Sequence, residues 1–240
     1  MVNDSTSSRG TRLLGALTLA GMGVLLVFAL VISPADETQE ETVRMFYVHV
    51  PTALIAFLAF FVTVAASIGH LLRRSEGWDV MAGASAEVGA VLLAATLVSG
   101  MLWGRVTWGV YWTWDARLTL TALLFVLVLG YLAVRRLPLE RERRSRLAAV
   151  VGLLLGPTTV VCHYATTWWR TLHQGPTVTT ADAKMDGTML FTFFLGMVVF
   201  GLLYAWLVVH RFRVLWLEHR VEDVDVDVAV AERRREALVS

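Results

Sequence analysis

Read from its amino end, the chain alternates long apolar stretches with short breaks rich in arginine or tryptophan. Six stretches approach the roughly 20 apolar residues that a helix needs to cross about 30 Å of hydrocarbon: residues 13–32, 51–72, 81–103, 118–134, 147–164 and 189–209. The pattern predicts an all-α integral membrane fold of six transmembrane helices. Residues 1–12 precede this membrane domain (13–209), and a charged tail (210–240) follows it. The first stretch follows Arg9 and Arg12 as a secretory signal would, but its apolar core is longer than the usual 7 to 15 residues or so, and it is expected to remain as an anchor. Gly156-Pro157 should kink the fifth span, because proline removes an i to i−4 hydrogen bond.

Orientation follows from the basic residues, since cytoplasmic loops carry the excess of Lys and Arg. The amino terminus, the turn at Arg73-Arg74, the segment Arg135–Arg146 and the tail from Arg211 hold sixteen of the 21. Arg44, Arg105, Arg117, Arg170 and Lys184 fall in the three remaining loops. Both termini are therefore expected in the cytoplasm. Loops 33–50, 103–117 and 165–188 are expected to face outward, toward the periplasm if this is a bacterial inner membrane protein.

Composition narrows the class further. With 56% hydrophobic residues, 17% charged and a mean hydropathy of +0.61, the chain is too apolar for an ordinary water-soluble domain. A net charge of +1 lacks the basic excess of many nucleic-acid binders, so lipid and not nucleic acid is the expected surrounding partner. Cys162 is the single cysteine, which excludes an intrachain disulfide and a cysteine-only metal cage. The one lysine, Lys184, lies in Ala-Asp-Ala-Lys-Met-Asp, so the chain has no Walker A loop.

The unusual residues gather on the side that the arginines avoid. Trp103, Trp108, Trp112 and Trp114 stand in the second outward loop and Trp168 and Trp169 in the third, six of nine tryptophans. An interfacial aromatic belt would spread over both faces. Trp108 and Trp112 would share a face in a helix, Trp112 and Trp114 in an extended strand, and spacing alone leaves both open. With Tyr111 these rings form an apolar, polarizable surface suited to a flat ligand. Two histidines flank it, His49 before Pro51 and His173 in the third loop, whereas His70, His210 and His219 lie at or beyond the inner boundary. Neutral imidazole is a common axial ligand of haem iron. A macrocycle also needs apolar walls, and its propionates need cations or donors, for which Arg117, Arg105, Arg44 and Arg170 are candidates.

Asp115 stands where it could cap the fourth span. A cation at Arg117 opposes the macrodipole by roughly 0.3–1 kcal/mol, which favours a task such as pairing with Asp115 or a propionate. His163 and Cys162 read as packing residues. Glu87, about 9 Å into the third span at 1.5 Å per residue, is an intramembrane acid of open role. The alternating Val and Asp/Glu of the tail, closed by Arg233–Arg235, reads as a solvated charge block.

Together these motifs resemble the haem-handling protein C (CcmC) family of cytochrome c maturation, within the tryptophan-rich (WWD) haem-handling superfamily. The matching residues are Trp103-Gly104, Trp108-Gly109, the run Tyr111-Trp112-Thr113-Trp114-Asp115-Ala116-Arg117-Leu118-Thr119, Tyr47–Pro51 before it and Trp168–Pro176 after it. The resemblance covers the six-span body and implies haem b held on the tryptophan-rich outer face, with His49 and His173 as axial ligands. It further implies delivery to a periplasmic haem chaperone (CcmE-like), and association with the membrane and ATPase subunits of an ABC-type complex and with a small membrane subunit. The charged tail is a departure that the family body does not require.

Two other readings compete. A secondary transporter would place its site near the midplane on broken or charged helices, where these spans offer little beyond Glu87 and the Gly-Pro kink. A zinc enzyme built on His49, His173 and Asp115 would lack a His-Glu-x-x-His pair and would have no use for six tryptophans. No residue pairs a nucleophile with its base, so the chain itself is not expected to be an enzyme.

Overall fold

The computed structural model describes residues 8–173 and 185–239. Seven helices follow one another: α1 (Arg9–Val27), α2 (Phe46–Arg73), α3 (Glu76–Trp108), α4 (Ala116–Val134), α5 (Arg141–Leu153), α6 (Leu155–Trp168) and α7 (Gly187–Val239). A π-helical turn, Phe28–Ile32, extends α1, and a 3-10 turn, Glu41–Met45, leads into α2. With α5 and α6 in line as one span, six helical stretches among the described residues are long and apolar enough to cross a membrane, and no β-strand is present among them.

The helix ends differ from the apolar stretches that announced them. The expected outer loop 33–50 contains the 3-10 turn and the first turn of α2, so His49 lies inside a helix, and Pro51 is the sixth residue of α2 instead of its opening. The expected loop 103–117 likewise begins as helix, α3 running through Trp103 to Trp108 before Gly109, at φ 76°, ends it. The break in the fifth span falls at Leu154, three residues before Pro157: the missing proline N–H and the bulk of its ring act on the carbonyl four residues back. The charged tail continues α7 as helix. Its first turns are pinned by Arg211 to Glu218 (3.3 Å), by Glu222 to Arg141 (3.2 Å) and by His219 to Glu76 (3.0 Å).

Lipid supplies no hydrophobic drive between helices, so close approach and internal hydrogen bonds must hold the bundle. The buried face of α3 is correspondingly small: Ala82, Gly83, Ala84, Ser85, Ala86, Gly89 and Ala90. A Cβ on Gly89 would sit 2.9 Å from the Phe60 ring and 3.0 Å from Ala59 Cβ, so this glycine sets the α2–α3 spacing. The Ser85 hydroxyl donates to the Ala59 carbonyl (2.7 Å) and lies 2.7 Å from the Tyr204 hydroxyl, joining α2, α3 and α7. At the arginine-rich end, buried Asp79 takes a two-pronged pair from Arg135 (2.6 and 3.2 Å) and a hydrogen bond from Ser145 (2.9 Å). Burial works against the Arg135 charge, but the neighbouring Tyr131 and Asp79 side chains together hold its guanidinium above its ordinary range. Glu87, left open by the sequence, is paired with Arg211 of α7. That engages the acid on which a transporter reading would rely.

Candidate functional site

Alternation of the spans brings the start of α2, the end of α3, the Gly109–Asp115 segment, the start of α4 and the end of α6 to one end of the bundle. Gly109 allows the chain to leave α3 in the left-handed region, and Arg105 closes that end by donating to the Gly109 carbonyl, its guanidinium 5.6 Å from the Tyr111 ring centre. Beyond the helix residues 110–114 are neither helix nor strand, and of the two pairings the sequence leaves open Trp112 and Trp114 are the pair that meets, ring centres 5.5 Å apart and edge to face. Trp114 is 79% exposed and Tyr111 56%.

Asp115 is the hinge of the site. One carboxylate oxygen accepts the Leu118 N–H (2.8 Å), capping α4, and the other accepts the Leu172 N–H (3.0 Å), which fixes the segment carrying His173. That second oxygen is 3.7 Å from His173 Nδ1. Arg117 does not pair with Asp115. Its guanidinium donates to the His163 carbonyl in the last turns of α6 (3.1 Å), and this gives a cation in the first turn of α4 a partner.

His49, His173 and Arg117 line one cleft together with Phe57, Thr96, Gly100 and Thr121. The two histidines come from segments 124 residues apart in sequence and share that cleft with few other polar groups. An indole stands edge-on to each: Trp103 to His49 (5.6 Å) and Trp108 to His173 (4.9 Å). Burial, seconded by the Arg117 charge, holds the His173 imidazole below its ordinary value near 6.5, with Asp115 pulling the other way, so the ring is neutral at pH 7 and its lone pair is available. His49 Nδ1 lies 3.0 Å from Ser99 Oγ.

Other expected residues are placed elsewhere. Trp168 and Trp169 meet each other (5.9 Å) and Tyr164 (5.4 Å to Trp168), an exposed aromatic cluster beside the cleft lining. Arg170 is exposed, and Arg44 is engaged by Glu41 (2.5 Å) and the Ala29 carbonyl (2.6 Å). Sequence reasoning passed over Ser99 and Gly100. Both lie within one helical turn of Trp103 on α3, the only signal available, and a Cβ on Gly100 would stand 2.9 Å from His49 Cε1. Three buried polar atoms of the tryptophan-rich run, Trp103 Nε1, Trp112 Nε1 and Thr113 Oγ1, have no hydrogen-bond partner among the described residues.

The model of the family described as Heme exporter protein C matches residues 3–227. The Heme exporter protein C of Bradyrhizobium diazoefficiens is 34% identical over 196 residues, covering 81% of this chain and 74% of that one. That of Haemophilus influenzae is 33% identical over 198 residues, 82% and 80% of the two chains. A ccmC-like mitochondrial protein of Arabidopsis thaliana named for cytochrome c biosynthesis is 32% identical over 188 residues, 78% and 70%. This chain belongs to the Heme exporter protein C family.

Proposed function

We propose that this chain holds haem b as cargo at the periplasmic face of a bacterial inner membrane, with His49 and His173 as axial ligands. In this reading it passes the haem to a periplasmic haem chaperone for cytochrome c maturation. The observation that carries the reading is the convergence of His49 and His173 on one cleft, each backed by an indole. Trp112 and Trp114 pair as a further apolar surface in the segment between α3 and α4, in which Tyr111 is also exposed, and the unpartnered indole and hydroxyl donors suit carboxylate groups such as propionates. Arg170, exposed, is the cation best placed in chemistry to join them, while Arg105 and Arg117 first have to leave backbone carbonyls.

The cleft itself measures about 40 Å³, room for a few waters and not for a macrocycle. Seating haem between the imidazoles therefore separates the His173 segment from α2. Asp115 ties that segment to the start of α4, not to α2, through a hydrogen bond from Leu172. The chain has no ATP-binding loop, so hydrolysis that drives release belongs to partner subunits of an ABC-type complex, a small membrane subunit among them. The relatives' names support haem handling and cytochrome c biosynthesis, and the arginine asymmetry supports the facing.

The test is purification in detergent after expression with a haem supply. The wild type is expected to carry a Soret band and to pass haem to a purified soluble chaperone. The His49→Ala/His173→Ala variant is expected to be colourless. A colourless wild type, or an unchanged spectrum in the double variant, contradicts the reading.

A further inference from the structure

Resting on that reading, we propose that Ser99 and Asp115 are positioning residues that back the two imidazoles unequally, making His173 the firm iron ligand and His49 the one that yields first to an incoming imidazole. Ser99 is already engaged: its hydroxyl donates to the Thr96 carbonyl (3.2 Å), which leaves the oxygen as an acceptor for the N–H at His49 Nδ1 (3.0 Å). Proton placement on His49 is thereby fixed. Nδ1 carries the hydrogen, and Nε2 keeps its lone pair for a metal. The backing group, however, is neutral.

His173 is backed by a charge. Its Nδ1 is buried with no hydrogen-bond partner among the described residues, and the Asp115 oxygen 3.7 Å away is the acceptor that the structure places against it. Asp115 is held in that position from both sides, by the Leu118 N–H and the Leu172 N–H, and its side chain is only 10% exposed. A carboxylate behind a ligating histidine fixes the ring and raises its basicity. At 3.7 Å no hydrogen bond is formed, and the carboxylate acts on the ring as a nearby charge, which the Ser99 hydroxyl does not carry. The two ligands therefore differ in donor strength although both are imidazoles.

Inequality suits a cargo that must leave without falling free. In the exchange, the iron–Nε2 bond to His49 breaks as a bond to the incoming imidazole nitrogen forms. Both donors are neutral, no electron or proton moves, and His173 holds the iron meanwhile.

The experiment compares purified, haem-loaded wild type, Ser99→Ala, Ser99→Thr, Asp115→Asn, His49→Ala and His173→Ala, with free imidazole as the probe. Asparagine still caps a helix, so Asp115→Asn removes the charge and keeps the α4 start. His49→Ala is expected to keep haem when imidazole fills the vacant position, whereas His173→Ala loses it on gel filtration. Ser99→Ala is expected to lower the imidazole concentration needed for exchange at least threefold, with Ser99→Thr restoring it. Asp115→Asn is expected to raise the reduction potential by about 59 mV, a tenfold change in ferric over ferrous preference for one electron, and Ser99→Ala by less than a third of that. If the wild type carries bis-imidazole haem but His49→Ala sheds it as fast as His173→Ala, the unequal backing is overturned while the haem reading stands. An unmoved potential in Asp115→Asn overturns it equally. A wild type without haem overturns both.

Discussion

Gly100→Ala is the substitution that tests most narrowly whether His49 is held for a purpose. The added Cβ would stand 2.9 Å from His49 Cε1 and 3.5 Å from Nδ1. Carbon atoms pack best at about 3.5–4.0 Å, so the ring must retreat by roughly 0.6–1 Å. From 3.0 Å, that retreat carries Nδ1 past hydrogen-bonding range of Ser99, which ends at about 3.5 Å. The fold should tolerate the change. Overpacking costs about 1–3 kcal/mol, and alanine recovers roughly 1 kcal/mol of helix propensity over glycine. A net loss of up to about 2 kcal/mol lowers the midpoint of thermal unfolding by about 4–8 °C in a chain of this size. Haem binding should suffer more than stability, because the displaced imidazole loses a hydrogen bond worth about 1 kcal/mol and its aim at the iron; at least a tenfold weaker affinity is expected. The assay is spectrophotometric haem titration in detergent beside a thermal melt of the apoprotein. Wild-type affinity in a folded Gly100→Ala protein would refute the placement of His49 at a binding site.

Further outcomes follow from the same geometry. Gly109→Ala forces a side chain into the left-handed region at φ 76° and should cost about 1–2 kcal/mol, read as a lower melting temperature with altered tryptophan fluorescence from Trp112 and Trp114. Asp79→Asn strands the buried Arg135 guanidinium and should destabilise by about 3–5 kcal/mol, whereas Asp79→Leu/Arg135→Leu should cost clearly less, both measured by thermal unfolding. Because the His173 value lies below 6.5 in the folded state, its neutral form persists through pH 6.5 and is lost only at lower pH. In the haem-free protein, the His173 ring followed by NMR against pH should therefore titrate with its midpoint below 6.5, and a midpoint at 6.5 or above would contradict its burial.

Most of the architecture was legible because hydrocarbon thickness imposes a length on every span, and the six apolar runs met it. Helix ends were less legible. Trp103, Trp108 and His49 are as acceptable in the end turns of a helix as in an interfacial loop. Pro51 looked like a first helical residue because proline favours that position, yet a 3-10 turn had already started α2 five residues earlier. Asp115 as a cap was readable from its place before Arg117-Leu118, but its hold on Leu172, 57 residues away, was not. Ser99 is an unremarkable serine until folding sets it beside His49, 50 residues distant. The pairs Asp79–Arg135 and Glu87–Arg211 escaped for the same reason: ion pairing depends on which faces of distant helices meet, and apolar periodicity says little about that.

The account turns on haem iron bound between two particular imidazoles. The most direct measurement is the electron paramagnetic resonance spectrum of the ferric, haem-loaded protein, recorded for wild type, His49→Ala and His173→Ala in one detergent. A low-spin bis-imidazole signal in the wild type, converted to high spin or lost in either single variant, is the predicted result. A wild-type spectrum retained in either variant would contradict it.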